Sequence, residues 1–361
     1  MALFSQMKTC LQQLRLVCRV RSRYAVGLWP AYLRVRQLCR TARFEADEAF
    51  RLGLFDPGSD LAALERCVSR KQLTKIQRAL NPVSWSPLLT NKEAFRRYCS
   101  ALGLPVPRTC ALWTREAGWL CNGRRFSGEQ DEATLFRDQL PDEFVVKPTT
   151  GALGRGVRVY RRSGSGFVDF EGNLCSTEQI CHTLRGDDQD SSFIVQPLLT
   201  NHVAIQRLTG SSQLQTLRVV TLCDRQNRCR ILAAHLKMHG GAQETDNFNS
   251  GASGNLSAAV ELNEGRLTAA RTARPDGSGM RSLDRHPATG VAFVEVMVPF
   301  WPQICSLAEA AAGHFLPIRT VGWDIALTAD GPVLLEGNFW WNPFNQHPHM
   351  GQVADLLRQS C

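Results

Sequence analysis

The stretch VGWDIALTADGPVLLEGNFWW, residues 321–341, restricts the fold more than any other part of the chain. Trp323, Ile325 and Leu327 put apolar side chains at alternate positions, and Val333 and Leu335 do so again beyond Asp330-Gly331. That is the pattern of two short strands folded back on each other. Side chains alternate between faces of a strand, so one face is apolar and the other carries Asp324, Thr328, Glu336 and Asn338. A three-residue loop, Ala329-Asp330-Gly331, with Gly331 left-handed, predicts Asp324 opposite Glu336, Ile325 opposite Leu335 and Leu327 opposite Val333. A slip of one residue would turn apolar groups out of the core.

Two carboxylates paired in this way have Cβ atoms roughly 5 Å apart. At an effective dielectric near 20 they repel by about 3 kcal/mol, so something positive belongs between them. Two carboxylates with an amide carbonyl are hard oxygen ligands, suited to Mg²⁺ completed by water and phosphate. Taken alone, the hairpin is equally compatible with a solvated polar face.

The rest of the chain supplies the context. At 361 residues, 21% of them charged, it can hold two or three folded units and is not a disordered polymer. No run approaches the ~20 apolar residues that cross a bilayer, and residues 1–30 contain no secretory core. Thirteen cysteines without a C-x-x-C pair predict neither a disulfide framework nor a structural zinc site, and point to a reducing, cytoplasmic setting. The equal spacing of Cys175/Cys181 and of Cys223/Cys229 is read as incidental.

The charge is unevenly placed. Residues 1–44 contain Lys8, Arg15, Arg19, Arg21, Arg23, Arg34, Arg36, Arg40 and Arg43 and no acid, which accounts for the whole net charge of +9. A basic segment with interleaved Leu, Val and Trp suits peripheral association with an anionic membrane or an acidic partner. It also suits a targeting peptide or a solvated helical appendage. Nucleic acid is not expected, because the basic character stops there and no recognition motif appears.

Residues 1–80 read as helical, with breaks at Gly27-Pro30 and Asp56-Pro57-Gly58. A connector, 81–90, leads to a helix capped by Asn91 and running to about Leu102, with Phe95, Tyr98, Cys99 and Leu102 on one face. Strands are predicted at 143–147, 156–161, 192–196, 214–223, 229–238 and 257–262, then a helix near 301–314 and the hairpin. Strands with segregated helices make the class α+β. The organisation is a basic helical region at 1–80, connector and lead-in helix at 81–135, a smaller lobe at 136–200 and a larger lobe at 201–361.

Several stretches carry chemistry. In EFVVKPTTGALGRGVRVYRR, 143–162, a Gly-rich turn joins two strands, so Gly151, Gly154 and Gly156 let backbone N–H groups approach phosphate oxygens. Lys147 and Arg155 add cations. The turn lacks the Gly-Lys-Ser/Thr ending of a P-loop and the dinucleotide spacing. At Gln196-Pro197 a strand stops, which frees backbone groups for a planar ligand such as adenine. Arg218 and Lys237 stand inside apolar strands and each calls for an anion, whether Asp324, Glu336 or a triphosphate. The loop DNFNSGASGNL, 246–256, suits the substrate side, and NFWWNPFNQHPHM, 338–350, with His347 and His349, suits a pocket wall.

In this order the pieces resemble the ATP-grasp superfamily, closest to its sugar-transfer-associated branch and related to α-L-glutamate-ligase-like proteins. The resemblance spans about residues 85–345. FVVKPTTGALGRGV, LRVVT, VGWDIALTADGPVLLEGN and the helix NKEAFRRYCSALGLPVP carry it. It implies an α+β ATP-grasp fold, two lobes with ATP and Mg²⁺ between them, behind the basic N-terminal segment. Lys147 would contact the nucleotide, Thr149 to Gly156 would cover its phosphates, and Gln196 with Leu198 would hold adenine. Arg218 and Lys237 would neutralise the γ-phosphate. Asp324, Glu336 and Asn338 would bind one or two Mg²⁺ ions. The amino-terminal α/β domain of many superfamily ligases is not readable here.

The activity so implied is an ADP-forming carboxylate–amine, or carboxylate–thiol, ligase working through an acyl phosphate. Its partners would be a small carboxylate and an amine or sugar-linked acceptor, in polysaccharide or cell-envelope biosynthesis. The alternatives are a kinase on the same scaffold, phosphorylating a hydroxyl, and a non-catalytic ATP-binding module.

Overall fold

A computed structural model describes residues 14–361 apart from 57, 59–65, 152–153, 241–247, 249–253 and 277–278. Among the described residues fifteen strands form two antiparallel sheets, the first of mostly short strands (the small sheet) and the second of longer ones (the large sheet). The first comprises β1 (Ala111–Thr114), β2 (Gly118–Leu120), β3 (Arg125–Phe126), β4 (Glu143–Pro148), β5 (Arg158–Ser163), β6 (Gly166–Asp169), β7 (Leu174–Cys175) and β8 (Ser192–Pro197). Its order is β3-β2-β1-β8-β4-β5-β6-β7. The second comprises β9 (Thr216–Cys223), β10 (Cys229–Met238), β11 (Leu256–Val260), β12 (Leu267–Ala273), β13 (Met280–Leu283), β14 (Thr320–Thr328) and β15 (Gly331–Asn338), in the order β13-β12-β11-β10-β9-β14-β15. The first sheet therefore starts at Ala111, ahead of the boundary expected at 136. The short strands β1 to β3 lie within the stretch read as connector.

Local signals place the elements well. Asn91 caps the helix Lys92–Ala101 by accepting from the Glu93 and Ala94 N–H groups, at 3.1 and 2.9 Å. Phe95 and Cys99 are buried as expected, while Leu102 sits at the C-cap and faces solvent. Phe95 packs against Phe315 and Trp323, with ring centroids 5.7 and 6.4 Å apart. The helix Trp301–His314 covers the same side of the large sheet through Ile304, Ala308 and Ala311. Helices Arg70–Leu80 and Met350–Ser360 pack with Val220, Leu222 and Trp341 in a separate cluster. The connector clamps the hairpin: Asn81 Oδ1 accepts from the N–H groups of Arg319 and Thr320, both at 3.0 Å.

The hairpin reaches the expected pairing by another route. Asp324 opposes Glu336, but Thr328 opposes Gly331, so the loop is Ala329-Asp330 alone. The compensating residue is a bulge at Leu335, because Ile325 then pairs with Leu334. Leu334 rather than Leu335 therefore enters the core beside Trp323, Ile325 and Leu327. A bulge re-aims side chains next to it, and here it returns Glu336 to the face of Asp324. Gly337 follows from packing, since a Cβ there would lie 2.5 Å from Leu89 Cδ2 and 3.0 Å from Trp323.

The cysteine reading needs one correction. Cys223 and Cys229 are directly opposed across β9 and β10 and are joined by a disulfide. A period-two alternation cannot reveal this, because the pairing depends on the register of the β9–β10 turn. Cys175 and Cys181 remain free thiols.

Candidate active site

The large sheet carries one line of ionisable side chains across four strands. Glu336 on β15 opposes Asp324 on β14, Asp324 opposes Arg218 on β9, and Arg218 opposes His235 on β10. Directly opposed residues share a face. Lys237 lies two residues beyond His235 on the same face. This face forms one wall of a cavity of about 380 Å³, and Val145, Lys147, Ile194 and Gln196 of the small sheet form the other.

Asp324 is the centre of the row. Arg218 donates through Nε to Oδ1 at 2.6 Å and through its terminal nitrogen to Oδ2 at 2.9 Å. Lys237 Nζ lies 3.1 Å from Oδ1, and Asn338 Nδ2 donates to Oδ2 at 3.3 Å. A carboxylate offers about four lone-pair sites, and these donors fill them. Of the anions open to Arg218 and Lys237 in the sequence, the structure selects Asp324 for both. Burial by itself would raise the Asp324 carboxyl, but Arg218 and Lys237 outweigh it and hold the group well below the usual carboxylate range.

Glu336 behaves in the opposite sense. Burial pushes its carboxyl up, and the charge of Asp324 pushes it further. Among the described residues it takes a hydrogen bond from Asn338 Nδ2 at 3.4 Å and has no ion pair. Opposite, Lys147 Nζ donates to Gln196 Oε1 at 3.4 Å. Burial lowers its ammonium to about 8, with Glu336 opposing the shift and Lys92 reinforcing it. Both groups are half-buried charge-bearing side chains without full compensation, the condition in which an added ligand of suitable charge binds with most effect.

The Gly-rich turn follows β4. Gly151, Gly154 and Arg155 reach the cavity. Gly151, Gly154 and Gly156 have φ of 121°, 72° and 70°, values that favour glycine. Arg155 is drawn to Asp190, 3.0 Å from Oδ2. Thr149 and Gly156, expected over the phosphates, are not in the cavity wall. The Thr149 hydroxyl pairs with Ser192 at 2.5 Å, and Gly156 packs on Pro148. The break at Pro197 is also tighter than expected. Leu198 lines the cavity, yet its N–H donates to the Glu143 carbonyl at 3.1 Å and is not free for a base.

The wall at 338–350 is partly as read. Trp340, Trp341, Phe344 and Gln346 line the cavity. His347 and His349 instead stack behind it, ring centroids 6.0 Å apart, with His347 Nε2 3.0 Å from Ser257 Oγ. Burial, with His349 adding to it, takes His347 down to about 3. Of the loop 246–256, residues 246–247 and 249–253 lie outside the described residues, while Phe248 lines the cavity.

Two wall residues were missed in the sequence. His235 is buried, its Nδ1 has no hydrogen-bond partner among the described residues, and burial with nearby His347 and Arg218 holds it neutral. Its signal was available, since it stands two residues before Lys237 on the same strand. Lys92 bonds the flap, Nζ to the Gly151 carbonyl at 3.1 Å, and its own N–H reaches the Thr149 carbonyl at 2.7 Å. No sequence signal marks it, because a helix start meets this turn only in the folded chain.

Among the described residues no three His, Cys, Asp or Glu side chains gather into a metal cluster, and the place that best suits a dication is Glu336. Its half-buried carboxyl is raised by desolvation and further by the charge of Asp324, and a metal there would replace the proton. Asn338 lies beside it but points its Nδ2 at Glu336 and Asp324, so its carbonyl would reach a metal only after the amide turns over. Asp324 joins such a site only by exchanging one of its present donors.

The chain belongs to the sugar-transfer associated ATP-grasp family, which it matches over residues 71–347. The fold is accordingly the ATP-grasp fold. Solved structures similar to it include biotin carboxylase from Campylobacter jejuni in a β,γ-ATP complex, at 9% identity and TM-score 0.45, covering 80% of this chain and 51% of that one. N5-carboxyaminoimidazole ribonucleotide synthetase, as its ADP complex, is similar at 12% identity and TM-score 0.42, covering 78% and 52%. D-alanine–D-alanine ligase from Bacillus anthracis complexed with ATP is similar at 11% and 0.42, covering 78% and 68%. The chain thus spans about half the length of the first two. A search of curated proteins returned no match.

Proposed function

We propose that the protein is an ATP- and Mg²⁺-dependent ligase that joins a carboxylate to an amine, or to a thiol, through an acyl phosphate. The observation that carries this reading is the row Glu336–Asp324–Arg218–His235 facing Lys147 across one cavity. Fixed cations, a half-buried carboxylate without an ion pair among the described residues and a glycine-rich flap are what phosphoryl transfer asks for, since that chemistry is mostly positioning and electrostatics.

In this reading ATP lies between the sheets, with Lys147 and the flap at Gly151–Gly154 on its phosphates. The acceptor's carboxylate oxygen attacks the γ-phosphorus, the bond to the β,γ-bridging oxygen breaks and ADP leaves. Arg218 and Lys237, held in place by Asp324, face the charge that develops. Mg²⁺ held by Glu336 and Asn338, with Asp324, would supply Lewis-acid neutralisation of the polyphosphate. The amine then attacks the acyl carbon, the acyl–phosphate bond breaks, and the departing phosphate takes the proton the amine loses.

The test is a screen of amino acids and sugar acids, with amines, for ADP release in the presence of Mg²⁺, with Glu336→Ala as the blank. An amide with ADP and free phosphate supports the reading. ADP with a phosphorylated acceptor would assign a kinase instead. No Mg²⁺-dependent nucleotide binding by folded protein would end it.

A further inference from the structure

The basic N-terminal stretch holds a feature that the ligase reading leaves unused. The helix Leu28–Val35 buries Ala31 and Val35 in a small core with Leu38, Phe50 and Phe55. Its other side leaves Trp29 68% exposed, Leu28 54%, Leu33 44% and Tyr32 39%. These positions follow i, i+1, i+4, i+5 and so form one stripe. The Trp29 and Tyr32 rings stack, with centroids 5.6 Å apart.

Arg34, the helix's own cation, does not interrupt that stripe. It turns back to the protein, Nε donating to the Leu54 carbonyl at 2.9 Å and a terminal nitrogen to the Asp56 carbonyl at 2.8 Å. The stripe continues into exposed Arg36, and exposed Arg43 follows the next turn. Clustered apolar side chains at the surface of a protein mark an interaction site.

The chemistry of the stripe selects the partner. Residues 1–44 carry nine basic residues and no acid, so they suit a surface of uniform negative charge. A protein partner is selected by a patterned complement of both signs. Tryptophan and tyrosine, each with an apolar body and a polar tip, settle at the headgroup level of a bilayer. We propose that this helix docks the protein on an anionic phospholipid membrane. Leu28, Trp29, Tyr32 and Leu33 enter the interface, and Arg36 and Arg43 meet lipid phosphates.

The docked unit is tied to the cavity. Glu48 Oε1 accepts from the N–H of Arg70 at 3.1 Å, at the start of the helix Arg70–Leu80, and Arg70 lines the cavity. Membrane contact would therefore hold the cavity close to a lipid-borne acceptor, independently of which reaction it performs.

The experiment is co-sedimentation of the full chain with vesicles of phosphatidylcholine alone and of phosphatidylcholine mixed with phosphatidylglycerol. Binding to the anionic vesicles only, weakened by sodium chloride, is expected. The doubly substituted Trp29→Ser, Leu33→Ser protein should bind them about tenfold or more weakly, since interfacial affinity scales with buried apolar area. Arg36→Gln should bind more weakly at low salt, with the difference vanishing at high salt. Unchanged thermal unfolding of the variants shows that the fold persists. Equal sedimentation of parent and double variant would overturn the proposal. So would no sedimentation at low salt, or a dimer in solution that the double substitution dissociates.

Discussion

Arg218 and Asp324 stand directly opposite each other on adjacent antiparallel strands, and their side chains close a two-point ion pair of 2.6 and 2.9 Å. Asp324 is buried and Arg218 half-buried, and Lys237 adds a second cation 3.1 Å away. Removing one member of such a group leaves uncompensated charge in a medium that solvates it poorly. Asp324→Ala should cost about 3–5 kcal/mol in urea unfolding. The triple replacement Arg218→Met, Lys237→Met, Asp324→Leu should recover most of that stability while nucleotide binding stays lost. A triple variant as unstable as Asp324→Ala would show that the charges are not the source of the effect.

Lys147 gives a pH dependence of definite sign. Its folded value of about 8 lies below the ordinary 10.5, so the unfolded chain holds the proton more tightly. Below about pH 8 both states are charged and the fold bears the full penalty. The penalty fades as pH rises from about 8 towards 10.5, where stability climbs. Lys147→Met should therefore stabilise the free protein by about 1–3 kcal/mol at pH 7, with the advantage gone near pH 10.5. The same variant should lose ATP affinity in calorimetry. A stability gain unaffected by pH would refute this assignment.

Glu336 titrates the other way. Its carboxyl is raised in the fold, so the native state binds the proton more tightly and loses stability as pH climbs from the ordinary 4.5 towards the folded value. Magnesium should restore that loss in thermal scans near neutral pH. Glu336→Gln should unfold at or slightly above the parent temperature, show no response to magnesium and bind ATP at least about tenfold more weakly. Retention of a full magnesium response by Glu336→Gln would remove Glu336 from the metal site.

The flap can be tested at Gly156. Its φ is 70°, and a Cβ would fall 2.8 Å from Pro148 Cγ. Gly156→Ala should cost about 1–2 kcal/mol. Because Gly156 is outside the cavity wall, the variant should raise the Kd for ATP only through a displaced Gly151–Gly154 turn. Hydrogen exchange of the flap amides, faster in the variant, checks this.

Much of the site was legible because its signals are local. Alternation placed Asp324 and Glu336 on one face, and the Asn91 cap and the helix to residue 101 follow from a cap residue and a helical period. The cations inside apolar strands announced Arg218 and Lys237. The same reasoning failed wherever distant chain decided the outcome. The hairpin's odd residue went to a bulge at Leu335 instead of the loop, because core packing of Leu334 and Gly337 fixes that register. The Leu198 N–H was taken by Glu143 of a neighbouring strand, and the Cys223–Cys229 bridge depended on strand pairing.

The sequence by itself determined which hairpin residues share a face, where the helix after Asn91 begins, and that two facing carboxylates would need positive company. Only the tertiary structure decided who that company is. Arg218 and Asp324 are 106 residues apart, and they meet because β9 lies between β10 and β14. Strand order is set by how whole faces pack and how loops close, and side-chain periodicity carries no record of it.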